Sequence, residues 1–145
     1  MKQLKECLEL RCRIREVDES MEEIKAMLYT PKCQDLSGMP RGGGGNGESI
    51  IDKLITKKGK LEQKRKNLVN ELCEKWNEVE SACDNAHISK VQRQLLSYRY
   101  FHGLSWKTVT KKMHDYTGQK WNENKTYRIH RTVLCKLNKR NEKTA

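Results

Sequence analysis

A regular spacing of apolar residues dominates the first part of the chain. These side chains recur at intervals that alternate between three and four residues, at Cys7, Leu10, Ile14, Val17, Met21, Ile24 and Leu28. This is the heptad spacing of a helix that packs along a narrow seam. It predicts a helix over residues 2–28. The helix should end at Thr30-Pro31, because the residue before a proline avoids the helical conformation.

A second long helix is predicted over about residues 48–83, with Ser49 as its N-cap. Its seam is apolar except at Lys58 and Arg65, whose aliphatic stems are able to cover a partner helix while their charged ends reach water. Residues 37–47 form a glycine-rich linker between the two helices. We therefore expect an antiparallel helical hairpin, and self-association into a dimer to cover its narrow seam.

The basic residues are concentrated at one end of the chain. The formal net charge is +11, residues 1–86 are electrically balanced, and residues 87–145 hold 14 basic and 3 acidic side chains. A cationic terminal segment beside a neutral helical one indicates a polyanionic partner, of which nucleic acid is the commonest. The pattern predicts two domains, a hairpin over residues 1–86 and a basic domain over residues 87–145.

Three short helices are predicted in the basic segment, over about residues 90–102, 106–116 and 122–138. A capping box at residues 89–92 marks the first start, Gly103 marks its end, and Ser105 caps the second helix. The residues after 139 are expected to fray. Apolar stripes on all three helices are sufficient for a helix-turn-helix core, so the predicted fold class is all-α.

Polar and basic residues occupy the outward face of the third predicted helix. They are Asn124, Lys125, Tyr127, Arg128, Arg131 and Lys136. In the major groove Arg pairs with guanine and Asn with adenine, whereas Lys mostly neutralises phosphate. The second helix adds Lys107, Lys111 and Lys112, which suit a helix that crosses the DNA backbone. The alternative explanation is a solvated basic face on a small helical bundle.

Other classes of function lack support in the sequence. No apolar run approaches the ~18 residues of a membrane span, and the N-terminus shows no secretory signal. The six Cys and four His do not have zinc-site spacing. The glycine-rich linker lacks the Lys-Ser/Thr ending of a phosphate-binding loop, and no catalytic constellation is found. We expect no enzyme activity, no cofactor and no metal.

Two segments of the basic domain resemble a known DNA-binding module. Residues 95–113, LLSYRYFHGLSWKTVTKKM, look like the "LLxxRYxxGLSWxEIAxxL" stretch of sigma factor region 4. Residues 126–137, TYRIHRTVLCKL, resemble the recognition helix of that module, "VYRxHxxALxxL". The predicted hairpin with its linker segment 39–45 is similar to small phage and prophage proteins of Gram-positive bacteria. Their relatives include autolysin-regulatory and late-gene activator proteins.

The resemblance implies a promoter-binding transcription regulator in the bacterial cytoplasm, with RNA polymerase as a further contact. One departure is the segment 114–125, which is longer than the turn of the family. It either lengthens the second helix or forms a small wing above Trp121. Two other classes remain open: a small-terminase-like phage packaging or assembly protein that forms a ring, and a coiled-coil adaptor that binds an acidic protein.

Overall fold

The computed structural model describes residues 1–29 and 49–144, and within them every regular element is helical. The helices are α1 (Lys2–Tyr29), α2 (Ile50–Asn85), α3 (Lys90–Leu96), α4 (Trp106–Thr117) and α5 (Glu123–Thr144). A π-helical turn, Ser97–Phe101, follows α3 directly. The all-α prediction is thus confirmed for the described residues. The predicted glycine-rich linker, residues 37–47, lies outside them, as does the proposed stop at Thr30-Pro31.

The helix boundaries agree with the local sequence signals except in two places: the predicted helix over residues 90–102 changes to a π-helical turn after Leu96, and the last helix is longer than predicted. The Ser49 cap is present, because the Asp52 amide donates a hydrogen bond to Ser49 Oγ at 3.1 Å. The predicted end of the last helix at Asn138 is wrong, since α5 continues to Thr144. The added turn contains no Gly or Pro, and its Lys, Arg and Glu residues are good helix formers, so no local signal stops the helix.

The chain divides into two compact units. The smaller unit is Arg13–Val69, which contains most of α1 and the first part of α2. The larger unit combines Met1–Cys12 with Asn70–Ala145. The predicted boundary between residues 86 and 87 therefore falls inside the larger unit.

The smaller unit is built on the predicted heptad seam. Ile14, Val17 and Leu68 are buried there. The seam residue Arg65 is half-buried, and its Nε donates a hydrogen bond to Asp18 Oδ1 at 2.6 Å. This ion pair lets a charged residue occupy a seam position without an unpaired charge.

A central cluster of Leu95, Val109 and Met113 forms the core of the larger unit, and all three side chains are inaccessible to solvent. Five partly buried residues pack against it: Tyr98, Leu104, Trp106, Trp121 and Ile129. From α5, Val133 and Leu137 are buried as well. All of these residues except Leu104 and Trp121 belong to the stripes that the sequence predicts for the three short helices.

The start of α1 and the end of α2 pack into the same unit. Arg11 Nε donates a hydrogen bond to the Phe101 carbonyl oxygen at 2.7 Å, and the Trp76 ring lies 5.6 Å from the Phe101 ring. Leu4, only 1 % exposed, extends the predicted seam by one step toward the N-terminus. The larger unit thus includes residues that the charge pattern assigned to the hairpin.

Three caps fix the connections of the short helices. The predicted capping box is present, with the Gln92 amide 3.2 Å from Ser89 Oγ and the Gln92 side chain accepting from the Ser89 amide at 3.1 Å. Gly103 has the left-handed conformation, φ 68°, and ends the π-helical turn. Ser105 Oγ accepts a hydrogen bond from the Thr108 amide at 3.3 Å and starts α4. These caps agree with the sequence predictions.

Candidate nucleic-acid interface

Asn122 determines where α5 starts. Its side-chain oxygen accepts a hydrogen bond from the Lys125 amide at 2.8 Å, and its carbonyl oxygen accepts one from the Thr126 amide at 3.1 Å. Asn is a preferred N-cap because its side chain satisfies an amide that has no partner in the first helical turn. Helical residues therefore begin at Glu123, and Asn124 lies in the first turn.

Two buried threonines hold α4 against α5. Thr126 is inaccessible and Thr110 is 9 % exposed, and their Oγ1 atoms lie 2.8 Å apart. Thr110 Oγ1 also lies 2.9 Å from the Trp106 carbonyl oxygen, and Thr126 Oγ1 lies 3.2 Å from that of Asn122. The two threonine hydroxyl groups thus take part in three oxygen–oxygen contacts of hydrogen-bond length. This buried polar pair fixes the position of α5 along α4.

The inward and outward faces of α5 differ sharply in character. Thr126, Val133 and Leu137 are buried on the inward face. Asn124, Arg128 and Arg131 follow one another at i, i+4 and i+7, so they share the opposite face, and all three are exposed. The structure therefore brings these three predicted site residues together on one ridge, called here the α5 ridge.

The other predicted residues of α5 lie on the flanks of this ridge. Tyr127 is 40 % exposed, and Lys136 is exposed. Lys125 is half-buried, with its ammonium 4.7 Å from the centre of the Trp121 ring. A cation in this position is attracted by the face of the ring. Lys125 therefore has an intramolecular partner that the sequence did not reveal.

The three predicted lysines of α4 are exposed. Lys107 and Lys111 stand at i and i+4 and share one face, while Lys112 lies on another side of the helix. Val109 and Met113 face the core instead. α4 therefore has a cationic face outside and an apolar stripe inside.

No carboxylate among the described side chains neutralises these cations. Every ion pair in the described part of the chain joins residues between Lys2 and Arg93. Arg128 and Arg131 consequently make no ion pair there, nor do the lysines of α4. Among the described side chains, the positive charge of α4 and α5 is therefore not paired with a carboxylate.

An aromatic cluster supports the N-terminal half of α5. The Trp106 ring packs edge-on against His130 at 4.6 Å and against Tyr127 at 5.4 Å. The Arg99 guanidinium lies 4.6 Å from the centre of the Trp106 ring. Tyr100 Oη lies 2.7 Å from His130 Nε2, within hydrogen-bonding distance. The cluster holds Tyr127 beside the α5 ridge.

The pKa values of the histidines reflect burial and a positive environment. Desolvation, together with the positive charge of the nearby Arg99, lowers the pKa of His130 to about 4. Desolvation also lowers the pKa of His102, with Arg11 and Lys112 acting in the same direction. His130 is therefore neutral at pH 7 and acts as a packing and hydrogen-bonding group rather than as a phosphate-binding cation.

The long segment before α5 begins with the end of α4, which is slightly longer than predicted. α4 continues to Thr117, and Gly118, with φ 68°, ends it in the left-handed conformation. Residues 118–122 then lead to α5 without a strand among the described residues, so the alternative of a wing is not observed. Trp121 packs against the core cluster all the same.

Sequence reasoning missed the contacts that cross between elements. The π-helical turn carries Arg99 and Tyr100 toward α4 and α5, where they meet Trp106 and His130. The only sequence signal is the concentration of aromatic residues from Tyr98 onward, which indicates packing but not the partners. The pairing itself depends on how the helices cross.

The described residues contain no group of three or more His, Cys, Asp or Glu side chains placed to hold a metal ion.

Burial raises the pKa of the Cys7 thiol to about 11, which keeps it protonated and unreactive at neutral pH. None of the described helices combines the length and the apolar character that a bilayer crossing requires.

Comparison of the chain with known protein families finds no match, and searches of curated proteins and of solved structures find none either.

Proposed function

We propose that the protein binds double-stranded DNA in a sequence-specific manner and regulates transcription. The observation that carries this proposal is the α5 ridge, an exposed row of one Asn and two Arg that has no carboxylate partner among the described residues. The ridge stands on a helix whose opposite face is fixed by the Thr110–Thr126 pair and by buried Val133. A rigidly held polar ridge is what base recognition in a groove requires.

Each side chain of the site has a role in this proposal. Arg128 and Arg131 bind guanine edges or adjacent phosphates, and Asn124 binds adenine. Lys107 and Lys111 on α4 bind the phosphate backbone, where they fix the orientation of the protein without reading sequence. The residues on the flanks of the ridge, Lys125, Tyr127 and Lys136, extend the contact surface, and Lys112 adds positive charge on another side of α4.

In this proposal α3, α4 and α5 act as a helix-turn-helix domain, and α1 and α2 form an antiparallel hairpin for self-association. Ion pairs between α1 and α2 support the hairpin: Lys75 Nζ lies 3.0 Å from Glu6 Oε2 in the larger unit, and Arg65 binds Asp18 in the smaller one. A dimer would present two DNA-binding domains to half-sites about 34 Å apart, or a multiple of that distance.

The regulatory role rests on the likeness of residues 95–113 and 126–137 to sigma factor region 4. On that basis the protein acts in the bacterial cytoplasm, binds promoter DNA as a phage or prophage regulator and contacts RNA polymerase, with no catalytic step. This part of the proposal is an analogy of sequence motifs. The DNA-binding part stands on the residues of the α5 ridge.

A binding selection from random duplex DNA, followed by titration of the selected site, tests the proposal. We expect one recurring sequence motif, and we expect Arg128→Ala/Arg131→Ala to weaken binding to that motif by at least tenfold with unchanged helical content. Lys5→Ala/Lys66→Ala is the matched control, because it removes the same charge from exposed positions outside the site. Equal losses in both variants, or no selected motif, would contradict sequence-specific binding by α5.

The mass of the protein in solution distinguishes a transcription regulator from a DNA-packaging protein. A monomer or dimer agrees with a regulator that binds one or two half-sites. A ring of eight or more subunits would instead favour a phage packaging or assembly protein of the small-terminase type.

A further inference from the structure

A row of four lysines runs along α2 in the smaller unit. Lys53, Lys57, Lys60 and Lys64 follow one another at i, i+4, i+7 and i+11, the spacing that places residues on one side of a helix. All four are exposed. This row, called here the α2 lysine stripe, covers roughly 16 Å along the helix axis at about 1.5 Å per residue.

Residues 1–86 carry no net charge as a whole, although the segment that contains the stripe is strongly basic. Residues 53–66 alone contain seven basic side chains and one acidic side chain. The single acid, Glu62, lies 3.9 Å from Lys58, and Arg65 binds Asp18. These two acids are therefore already paired with cations that do not belong to the stripe.

No carboxylate of the described residues lies within ion-pair distance of the four stripe lysines. Like charges at spacings of three and four residues destabilise an isolated helix. The stripe thus contributes repulsion and receives no compensation within the described part of the chain. An external polyanion would relieve that repulsion.

We propose that the α2 lysine stripe is a second binding surface, which holds the phosphate backbone of nucleic acid without reading its sequence. Its lysines are separated by about 4.5 to 6 Å along the axis, and a duplex presents one negative charge per ~1.7 Å of its own axis. A row of flexible ammonium groups suits such a continuous line of charge, because each is a point charge on a long mobile stem. The surface acts independently of the α5 ridge.

The surroundings of the stripe favour nucleic acid over a membrane. Thr56, Gln63 and Asn67 border it on the solvent side and are polar and exposed. Most of the apolar side of α2 is directed to the seam, where Leu68 is buried, and Ile50 and Ile55 are the large apolar side chains of α2 that are exposed among the described residues. Two isolated isoleucines do not form a continuous apolar face. A helix that lies on a bilayer instead needs a large exposed apolar face beside its cations.

One end of the stripe reaches a groove of the smaller unit. Lys64 lines this groove of about 410 Å³ together with Arg13 of α1, which is also exposed. Glu16 lines the same groove, so this end of the stripe has a carboxylate in its neighbourhood. We therefore expect Lys53, Lys57 and Lys60 to provide most of the phosphate binding.

Binding to a short duplex of random sequence, measured by fluorescence anisotropy over a series of salt concentrations, tests the proposal. Each phosphate contact contributes about 0.9 to the slope of log Kobs against log salt concentration. The variant Lys53→Gln/Lys57→Gln/Lys60→Gln should therefore reduce the slope by about 2 to 3. The matched control Lys5→Gln/Lys66→Gln/Lys90→Gln removes the same charge from exposed positions off the stripe and should leave the slope nearly unchanged.

Removal of like-charge repulsion should leave the thermal stability of the stripe variant equal to or above that of the wild type, so a binding loss with a folded protein is interpretable. Equal slopes in wild type and stripe variant would overturn the inference. So would a stripe variant that binds the duplex normally but no longer binds vesicles of anionic phospholipid, because the surface would then be a membrane site.

Two titrations, one with the selected DNA motif and one with the random duplex, together distinguish this inference from the proposed function. If Arg128→Ala/Arg131→Ala loses the selected DNA motif while the stripe variant keeps the wild-type salt slope, the proposed function stands and the second surface is rejected. If the stripe variant alone loses affinity, the second surface stands and the role of α5 is rejected.

Discussion

Three glycines in different environments make a quantitative test of the fold when each is replaced by alanine. Gly103 and Gly118 both have φ 68°, a conformation that costs an L-residue about 1–2 kcal/mol. A Cβ at Gly103 would overlap Arg11 Cγ, whereas a Cβ at Gly118 or Gly59 would meet no heavy atom within 4 Å. Comparing Gly→Ala at these positions therefore separates the cost of the left-handed backbone conformation from the cost of a steric clash with Arg11.

The structure sets the expected magnitude at each position. Gly118→Ala should cost only the conformational term, about 1–2 kcal/mol. In Gly103→Ala the Arg11 side chain must also move, which disrupts its hydrogen bond to the Phe101 carbonyl oxygen, a bond from a charged donor worth about 1.5–3 kcal/mol. The total for Gly103→Ala is therefore about 2.5–5 kcal/mol. Gly59→Ala, inside α2, should stabilise the protein by about 0.5–1 kcal/mol.

Urea unfolding followed by far-UV circular dichroism measures these differences, provided that the m-value stays constant between variants. Arg11→Ala supplies the internal control, because Gly103→Ala in that background should cost no more than Gly118→Ala. If Gly103→Ala and Gly118→Ala are equally destabilising in the wild-type background, Arg11 does not pack against Gly103 in solution. The docking of α1 in the larger unit would then be incorrect.

Three further predictions concern the larger unit. Thr110→Val and Thr126→Val should each cost about 0.5–1.5 kcal/mol in urea unfolding, and a double-mutant cycle should find them coupled rather than additive. The pKa of His130 is lower in the folded protein than in the unfolded chain, so its contribution to the free energy of unfolding is complete above pH ~6.5 and is lost as the pH falls toward 4. After a discount for partial exposure, this loss is about 1–2 kcal/mol. The variant His130→Asn should remove this part of the dependence of stability on pH. Ser89→Ala removes the capping box and should lower unfolding stability by about 0.5–2 kcal/mol.

Local signals in the sequence were sufficient for most of the helices. The capping box at Ser89, the left-handed Gly103 and the Ser105 cap each depend on a few adjacent residues, and each is present as predicted. The heptad spacing likewise identifies Ile14 and Val17 as buried. Such signals act through backbone hydrogen bonds and helix periodicity, which neighbouring residues determine.

Features that depend on tertiary packing were not predictable in this way. The π-helical turn begins at Ser97, where no residue marks a break, and the Arg99–Trp106–His130 contacts join three separate elements. α5 continues past Asn138, where the sequence predicts an end, and no residue of this segment marks either outcome. Of the candidate site, the exposed positions could be predicted from periodicity, but the Lys125–Trp121 contact could not.

The central claim is that DNA lies against the outward face of α5. The most direct measurement is an NMR titration of the labelled protein with its selected duplex, in which backbone amide signals and the side-chain Nε–Hε signals of arginine are followed together. The account predicts that the signals of Asn124, Arg128 and Arg131 change first and most, while those of buried Val133 and Leu137 change little. Changes confined to residues outside α4 and α5, with the Arg128 and Arg131 signals unmoved at saturation, would contradict it.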